Sequence, residues 1–143
     1  MDEERVVVCI DDEPAILASL RRLFRNEPCT LLTTEKPDEA MAWVLERKAR
    51  VVIADQRMPS MTGLQLLEMV KACSPETVRV MLTGQSDLTS IMKRKTIDTV
   101  EHLVRKPWEP EELKITLRKL LERRGIGSES GIQDSGSGRG SAS

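Results

Sequence analysis

Three runs of small, mostly β-branched residues constrain this chain more than any other feature: RVVVCI at 5–10, VVIA at 51–54 and TVRVMLT at 77–83. A strand with one wet face alternates apolar and polar residues. The first two runs do not alternate at all, and the third breaks only at Arg79. Strands of this kind are covered on both faces, which is the condition of a parallel sheet packed between helical layers. The intervening segments have the pattern such layers need. EPAILASLRRLF places Pro14 at a first helical turn and Ile16, Leu17, Leu20, Leu23 and Phe24 on one stripe. KPDEAMAWVLERK opens with Pro37, Asp38 and Glu39, a proline and acids suited to a helix N-terminus.

Further along, Thr62 and Gln65 have the spacing of a capping box before Leu64, Leu67 and Val70. EPEELKITLRKLLERR carries Pro110 and acids early, Leu113, Leu117, Leu120 and Leu121 on one face, and basic residues late. TLLTT at 30–34 reads as a second strand, about 101–105 as a fifth, and 87–95 as a weaker helix. Five strands alternating with five helices predict an α/β domain, a parallel sheet wrapped on both sides. From Gly125 the chain turns to Gly and Ser, with two Ile to bury, so 125–143 is expected to be a flexible tail, linker or expression remnant.

Charge and composition narrow the function classes. With 22 basic against 23 acidic residues, there is no broad electrostatic footprint for nucleic acid or for an anionic membrane. No apolar run approaches a membrane span, and the acidic Met1–Glu4 start is unlike a secretory leader. Cys9, Cys29 and Cys73 are odd in number and form no C-x-x-C, which suits a reduced, cytoplasmic protein.

Ligand sites in open parallel sheets lie beyond the carboxyl ends of the strands. There the sequence puts Asp11, Asp12 and Glu13 after the first strand, Asp55 after the third, Thr83 and Gly84 at the end of the fourth, and Lys106 and Pro107 after the fifth. With strands one and three adjacent, Asp11, Asp12 and Asp55 converge, and clustered carboxylates repel unless a cation sits among them. An oxygen-only ligand set suits Mg2+, which keeps waters and often shares a phosphate. Lys106 adds a compact positive charge and Thr83 a hydroxyl. The chemistry that fits is attack by Asp55 on a phosphoryl group, giving an aspartyl phosphate. One of the acids could simply cap the first helix, but two acids plus Glu13 exceed what a cap requires. Trp43 and Trp108 read as packing residues, His102 as a strand residue without a catalytic partner, and Lys93–Lys95 as a solvated helix face. Met58 and Met61 read as gap-fillers beside the pocket.

CIDDEPAI, VVIADQRMPSMTGLQLL, VRVMLTG and VRKPW, in this order, resemble the signature blocks of the bacterial response-regulator receiver domain over about residues 5–124. The resemblance implies a flavodoxin-like (βα)5 fold with strand order 2-1-3-4-5, a receiver domain at 1–124, and a role in two-component signalling. It further implies that Asp55 accepts phosphate from a histidine kinase or a phosphotransfer protein and passes the change to an output domain or downstream effector. Asp12 would hold Mg2+ directly, Asp11 mainly through water, and the Arg57 backbone carbonyl would supply another ligand. Thr83 and Lys106 would bind the phosphoryl oxygens, and the Lys106–Pro107 bond would be cis. Arg57 and Gln85 occupy positions that tune phosphate lifetime in the family. The wording is closest to receivers of HD-GYP-type or hydrogenase-type regulators. The fourth helix, fifth strand and fifth helix form the expected output face and a possible dimer surface.

The chain also departs from the family. Leu103 stands where an aromatic residue usually swings inward as the threonine engages phosphate, and KRKTIDTVEH replaces the usual Gly-Ala pair before strand five. Two other function classes compete. A phosphorylation-independent pseudo-receiver, acting as a docking or dimerisation module, is favoured by Leu103 and opposed by the complete acidic set. A haloacid-dehalogenase-like hydrolase would need a second acid two residues after the nucleophile, where Arg57 stands. At most slow self-dephosphorylation is expected, so the chain is a phosphoacceptor more than an enzyme.

Overall fold

The computed structural model describes residues 4–84 and 92–122. Its elements alternate along the chain. In order they are β1 Val6–Ile10, α1 Pro14–Leu23, β2 Thr30–Thr34, α2 Pro37–Glu46, β3 Val51–Asp55 and α3 Gly63–Cys73. Then follow β4 Val78–Gly84, α4 Arg94–Thr99, β5 His102–Lys106 and α5 Pro110–Leu121. The five strands form one sheet in the order β2-β1-β3-β4-β5, and every pairing is parallel.

The non-alternating runs explain the layering. Every residue of β1 and β3 is buried, and their side chains feed two separate cores. Val7, Cys9, Ile53, Val80 and Leu82 pack on one face with Leu17, Leu20, Leu113 and Leu117 of α1 and α5. Val8, Ile10, Val52, Ala54 and Met81 pack on the other with Ala40, Val44, Leu66, Leu67 and Val70 of α2 and α3. Each fully buried Val, Leu or Ile contributes about 1.5–3 kcal/mol relative to exposure, so these layers supply most of the gross stabilisation.

Three of the helices begin with a proline in the first turn: α1, α2 and α5. The predicted capping box of α3 is present: the Thr62 hydroxyl accepts from the Gln65 amide at 3.1 Å, and the Gln65 side chain accepts from the Thr62 amide at 2.9 Å. The helix expected at 87–95 falls largely outside the described residues, which leave out its positions 87–91, and a short helix stands at Arg94–Thr99. Its buried positions are Thr96 and Thr99, so no apolar stripe marked it. β4 also buries Arg79, only 1% exposed. Its guanidinium donates to the carbonyls of Thr99 at 2.7 Å, Pro75 at 3.1 Å and Thr77 at 2.9 Å, and faces Glu101 at 3.3 Å.

Candidate functional site

The sheet register brings the strand ends together. Ile10 pairs with Ala54, so Asp11 follows β1 beside Asp55, and Asp55 pairs with Leu82, one residue before Thr83. Gly84 pairs with Lys106 across β4 and β5. The loop after β3 folds back hard against it. A Cβ on Gly63 would lie 2.5 Å from the Asp55 carbonyl oxygen, so only glycine lets α3 start that close. The sequence does not announce that role, because it lies in the absence of a side chain and in how closely α3 approaches Asp55.

Lys106 is the hub of the pocket. Its Nζ lies 2.8 Å from Asp55 Oδ1, 3.1 Å from Asp11 Oδ2 and 3.4 Å from Glu13 Oε1. Asp11 uses Oδ1 to accept the Glu13 amide at 2.9 Å, so it does serve the turn into α1, while its buried Oδ2 faces the Lys106 ammonium. Burial first of all raises the Asp11 pKa to about 6; the Glu13 amide opposes this and the neighbouring Asp55 charge adds to it. Burial likewise pushes the Asp55 carboxyl up, Lys106 holding it back and the charges of Asp12 and Glu13 adding to the rise. For Lys106, burial pulls the pKa down but the hydrogen bonds to Asp55 and Asp11 outweigh it, so the ammonium titrates above its ordinary range.

The carboxylates of Asp11, Asp12 and Asp55 bring one ligand oxygen each to within 4.8 Å of one another. A donor set of three clustered carboxylates, oxygen only and without His or Cys, fits Mg2+. Arg57, two residues after Asp55, is exposed. Thr83 is fully buried, and its hydroxyl donates to the Gly84 carbonyl at 3.3 Å. The Lys106–Pro107 peptide is cis, as the resemblance implied. Leu103 pairs with Met81 in the sheet and packs, partly buried, against the α2–α3 core together with Met58, Met61 and Val100. Gln85 lies outside the described residues. Glu13, which the sequence placed at the strand end without a role, reaches Lys106.

The residues set aside as structural sit accordingly. Trp43 and Trp108 pack against the two cores. His102 opens β5, and Lys93, Arg94 and Lys95 are exposed at the start of α4. The three cysteines are free. Beside Lys106, a groove of about 640 Å3 runs between α1 and α5, lined by apolar Ile16, Leu23 and Trp108 and basic Arg22 and Lys114.

Known proteins share this arrangement. Residues 7–118 match the family described as response regulator receiver domain. The chain is 34% identical over 125 residues to the hydrogenase transcriptional regulatory protein HoxA of Cupriavidus necator, covering 87% of this chain and 26% of that protein. It thus spans about a quarter of the length of the HoxA regulators it matches. It is 22% identical to the sporulation initiation phosphotransferase F of Bacillus subtilis, with 85% of this chain and 96% of that one covered. Among solved structures it is similar to the signal receiver domain of an HD domain-containing protein from Pseudomonas fluorescens Pf-5, at 30% identity and a TM-score of 0.77. That match covers 85% of this chain and 90% of that one. With an acidic pocket at the carboxyl ends of a 2-1-3-4-5 sheet and a family match across both cores, the chain belongs to the response regulator receiver domain family.

Proposed function

We propose that this chain is a phosphorylation-dependent switch in which Asp55 takes a phosphoryl group from a phosphohistidine of a histidine kinase or phosphotransfer protein. The observation that carries the reading is the Lys106 ammonium held between Asp55 and Asp11 at 2.8 and 3.1 Å. A fixed cation against two buried acids is suited to balancing the charge of incoming phosphoryl oxygens. In the transfer, an Asp55 carboxylate oxygen forms a bond to phosphorus as the phosphorus–nitrogen bond breaks, and the electron pair stays with the imidazole. Lys106 holds Asp55 in line and pairs with the transferred oxygens. Asp12, Asp11, Asp55 and the Arg57 carbonyl would hold Mg2+, whose chemistry is charge neutralisation on those oxygens. The Thr83 hydroxyl, now on Gly84, would turn to the phosphoryl group. Loss of the phosphate is by slow hydrolysis, so the chain acts as acceptor and timer.

The donor would approach over the pocket rim, where the α1–α5 groove borders Lys106. Output would leave through α4, β5 and α5, toward an output domain, an effector or a second copy. Among the described residues no helix is long and apolar enough to cross a membrane, and with three free thiols we place the chain in the cytoplasm. A second reading, a phosphorylation-independent docking module, draws on Leu103, which already packs on the core and offers no aromatic ring to swing.

Amide NMR shifts on adding Mg2+ and then beryllofluoride, a phosphoryl mimic, separate the two. The switch reading expects movement at residues 11–12, 55–57 and 83, and on the α4–β5–α5 face, with Asp55→Asn unresponsive to the fluoride. Pocket amides that stay still, or an unchanged response in Asp55→Asn, would favour the docking module. In the same experiment Leu103→Ala should weaken the response of the distant face while leaving Asp55 phosphorylation nearly intact; equal loss of both would refute that division.

A further inference from the structure

Gln56, the residue after the acceptor, makes three hydrogen bonds into two different elements. Its amide donates to the Leu82 carbonyl at 2.9 Å, next to Thr83, and its carbonyl accepts from the Gly63 amide at 3.0 Å. Its side-chain Oε1 accepts from the Leu64 amide at 2.9 Å. Helix N-termini leave their first amides without intrahelical partners. In α3 the first two, Gly63 and Leu64, are both satisfied by Gln56, and the third, Gln65, by Thr62. The helix is thus seated on the acceptor turn, at the close approach that Gly63 permits. Between these attachment points the chain runs through Arg57, and immediately before them stands Asp55.

Resting on the switch reading above, we propose that Gln56 is a positioning residue of the phosphoryl-acceptor site. Its amide oxygen locks α3 to the turn that presents Asp55 and the Arg57 carbonyl, and so sets the affinity of the pocket for Mg2+. The residue type fits the task. Its side-chain oxygen satisfies a helix amide, and its length reaches that amide eight residues on. The two backbone bonds are open to any residue but proline, so the side-chain bond is the part that mutation can isolate. Groups that orient metal ligands from behind typically change metal affinity 10–100-fold when removed.

The test titrates Mg2+ alone into the full chain, following amide shifts at residues 11–12 and 55–57, with thermal unfolding of each variant alongside. Gln56→Met, near in shape but without the acceptor, is expected to weaken Mg2+ binding by about tenfold. Gln56→Glu keeps an acceptor of the same reach, with a charge favoured at a helix N-terminus, and is expected to restore binding. Thr62→Ala uncaps the same helix from its other side. It should lower the unfolding temperature as Gln56→Met does, yet leave Mg2+ affinity unchanged. Equal weakening by Gln56→Met and Thr62→Ala would reduce Gln56 to a helix cap and overturn the proposal, as would unchanged affinity in Gln56→Met. A wild-type chain whose acidic residues show no Mg2+-dependent shift would instead overturn the switch reading, and this one with it.

Discussion

Asp11 divides its carboxylate between two tasks, Oδ1 accepting the Glu13 amide and Oδ2 facing the Lys106 ammonium inside the pocket. The first oxygen explains why an acid there resembles a helix cap; the second explains why a cap alone is insufficient. The price of this arrangement is visible in protonation. In metal-free protein Asp11 holds its proton to about pH 6, against 3.8 for the ordinary side chain, chiefly because it is buried. Between those values the folded pocket binds a proton that the unfolded chain has released, so this group's contribution to stability falls as pH rises through the window. The fall is of order 3 kcal/mol. Asp11→Asn removes it, so the variant should gain on wild type steadily from about pH 4 to pH 6 and stay ahead above that range. Urea midpoints measured in a chelating buffer across that range check the difference. A variant that lags wild type at neutral pH would contradict the assignment of the strain to Asp11.

At the scale of elements, strand β4 carries the largest departure from what its sequence announces. VRVMLTG reads as a buried strand, yet Arg79 sits inside it at 1% exposure, with its guanidinium spread over Thr99, Pro75, Thr77 and Glu101. The position is intelligible afterwards. β4 lies between β3 and β5 and is covered on both faces, so a charge within it must find its partners among neighbouring loops. Those partners close off the C-terminal end of α4 and the link into β5. Removing the arginine strands a buried carboxylate, which costs about 3–5 kcal/mol when one member of such a pair is lost. Arg79→Met should therefore unfold far more easily than wild type, whereas Arg79→Met with Glu101→Met should recover part of the loss. A double-mutant cycle by chemical denaturation measures the coupling; additive losses would show that the carbonyl contacts, rather than Glu101, hold the arginine.

The same strand shows what was legible. Runs without alternation gave β1, β3 and β4, and proline-led amphipathic stretches gave α1, α2 and α5, because burial on both faces or on one stripe leaves a direct imprint on residue choice. The short α4 at Arg94–Thr99 was hard to read because its inward positions, Thr96 and Thr99, carry hydroxyls instead of an apolar stripe. In the pocket, Asp11, Asp12, Asp55 and Lys106 were readable since charges at strand ends are chemically conspicuous. The contributions of Gln56 and Gly63 were not, because they act through an amide acceptor and through the absence of a side chain, and both depend on how closely α3 approaches Asp55.

Over the whole molecule, chemistry and anchoring occupy opposite ends of the sheet. The carboxyl ends of the strands gather three acids and a lysine, while fastenings of a different kind collect near the amino ends. There Arg50 donates to the Leu121 carbonyl at 2.7 Å, Arg47 to Glu4 at 2.9 Å, and Arg118 pairs with Glu27 at 2.7 Å. The Arg50 contact matters most for the chain's course, because it satisfies a last-turn carbonyl of α5, a group that helices otherwise leave to water. Among the described residues, Leu120 and Leu121 are the last members of the cores. Residues 125–143, rich in Gly and Ser, add little apolar surface, so we propose that the receiver domain ends at Arg124. A chain shortened to residues 1–124 should unfold cooperatively within about 1 °C of the full chain, far less than the roughly 4 °C that a loss of even 1 kcal/mol would produce. Its Mg2+ affinity should be unchanged as well. A drop of several degrees would mean that the Gly/Ser segment contributes to the fold despite its composition, and the boundary would have to move toward the C-terminus.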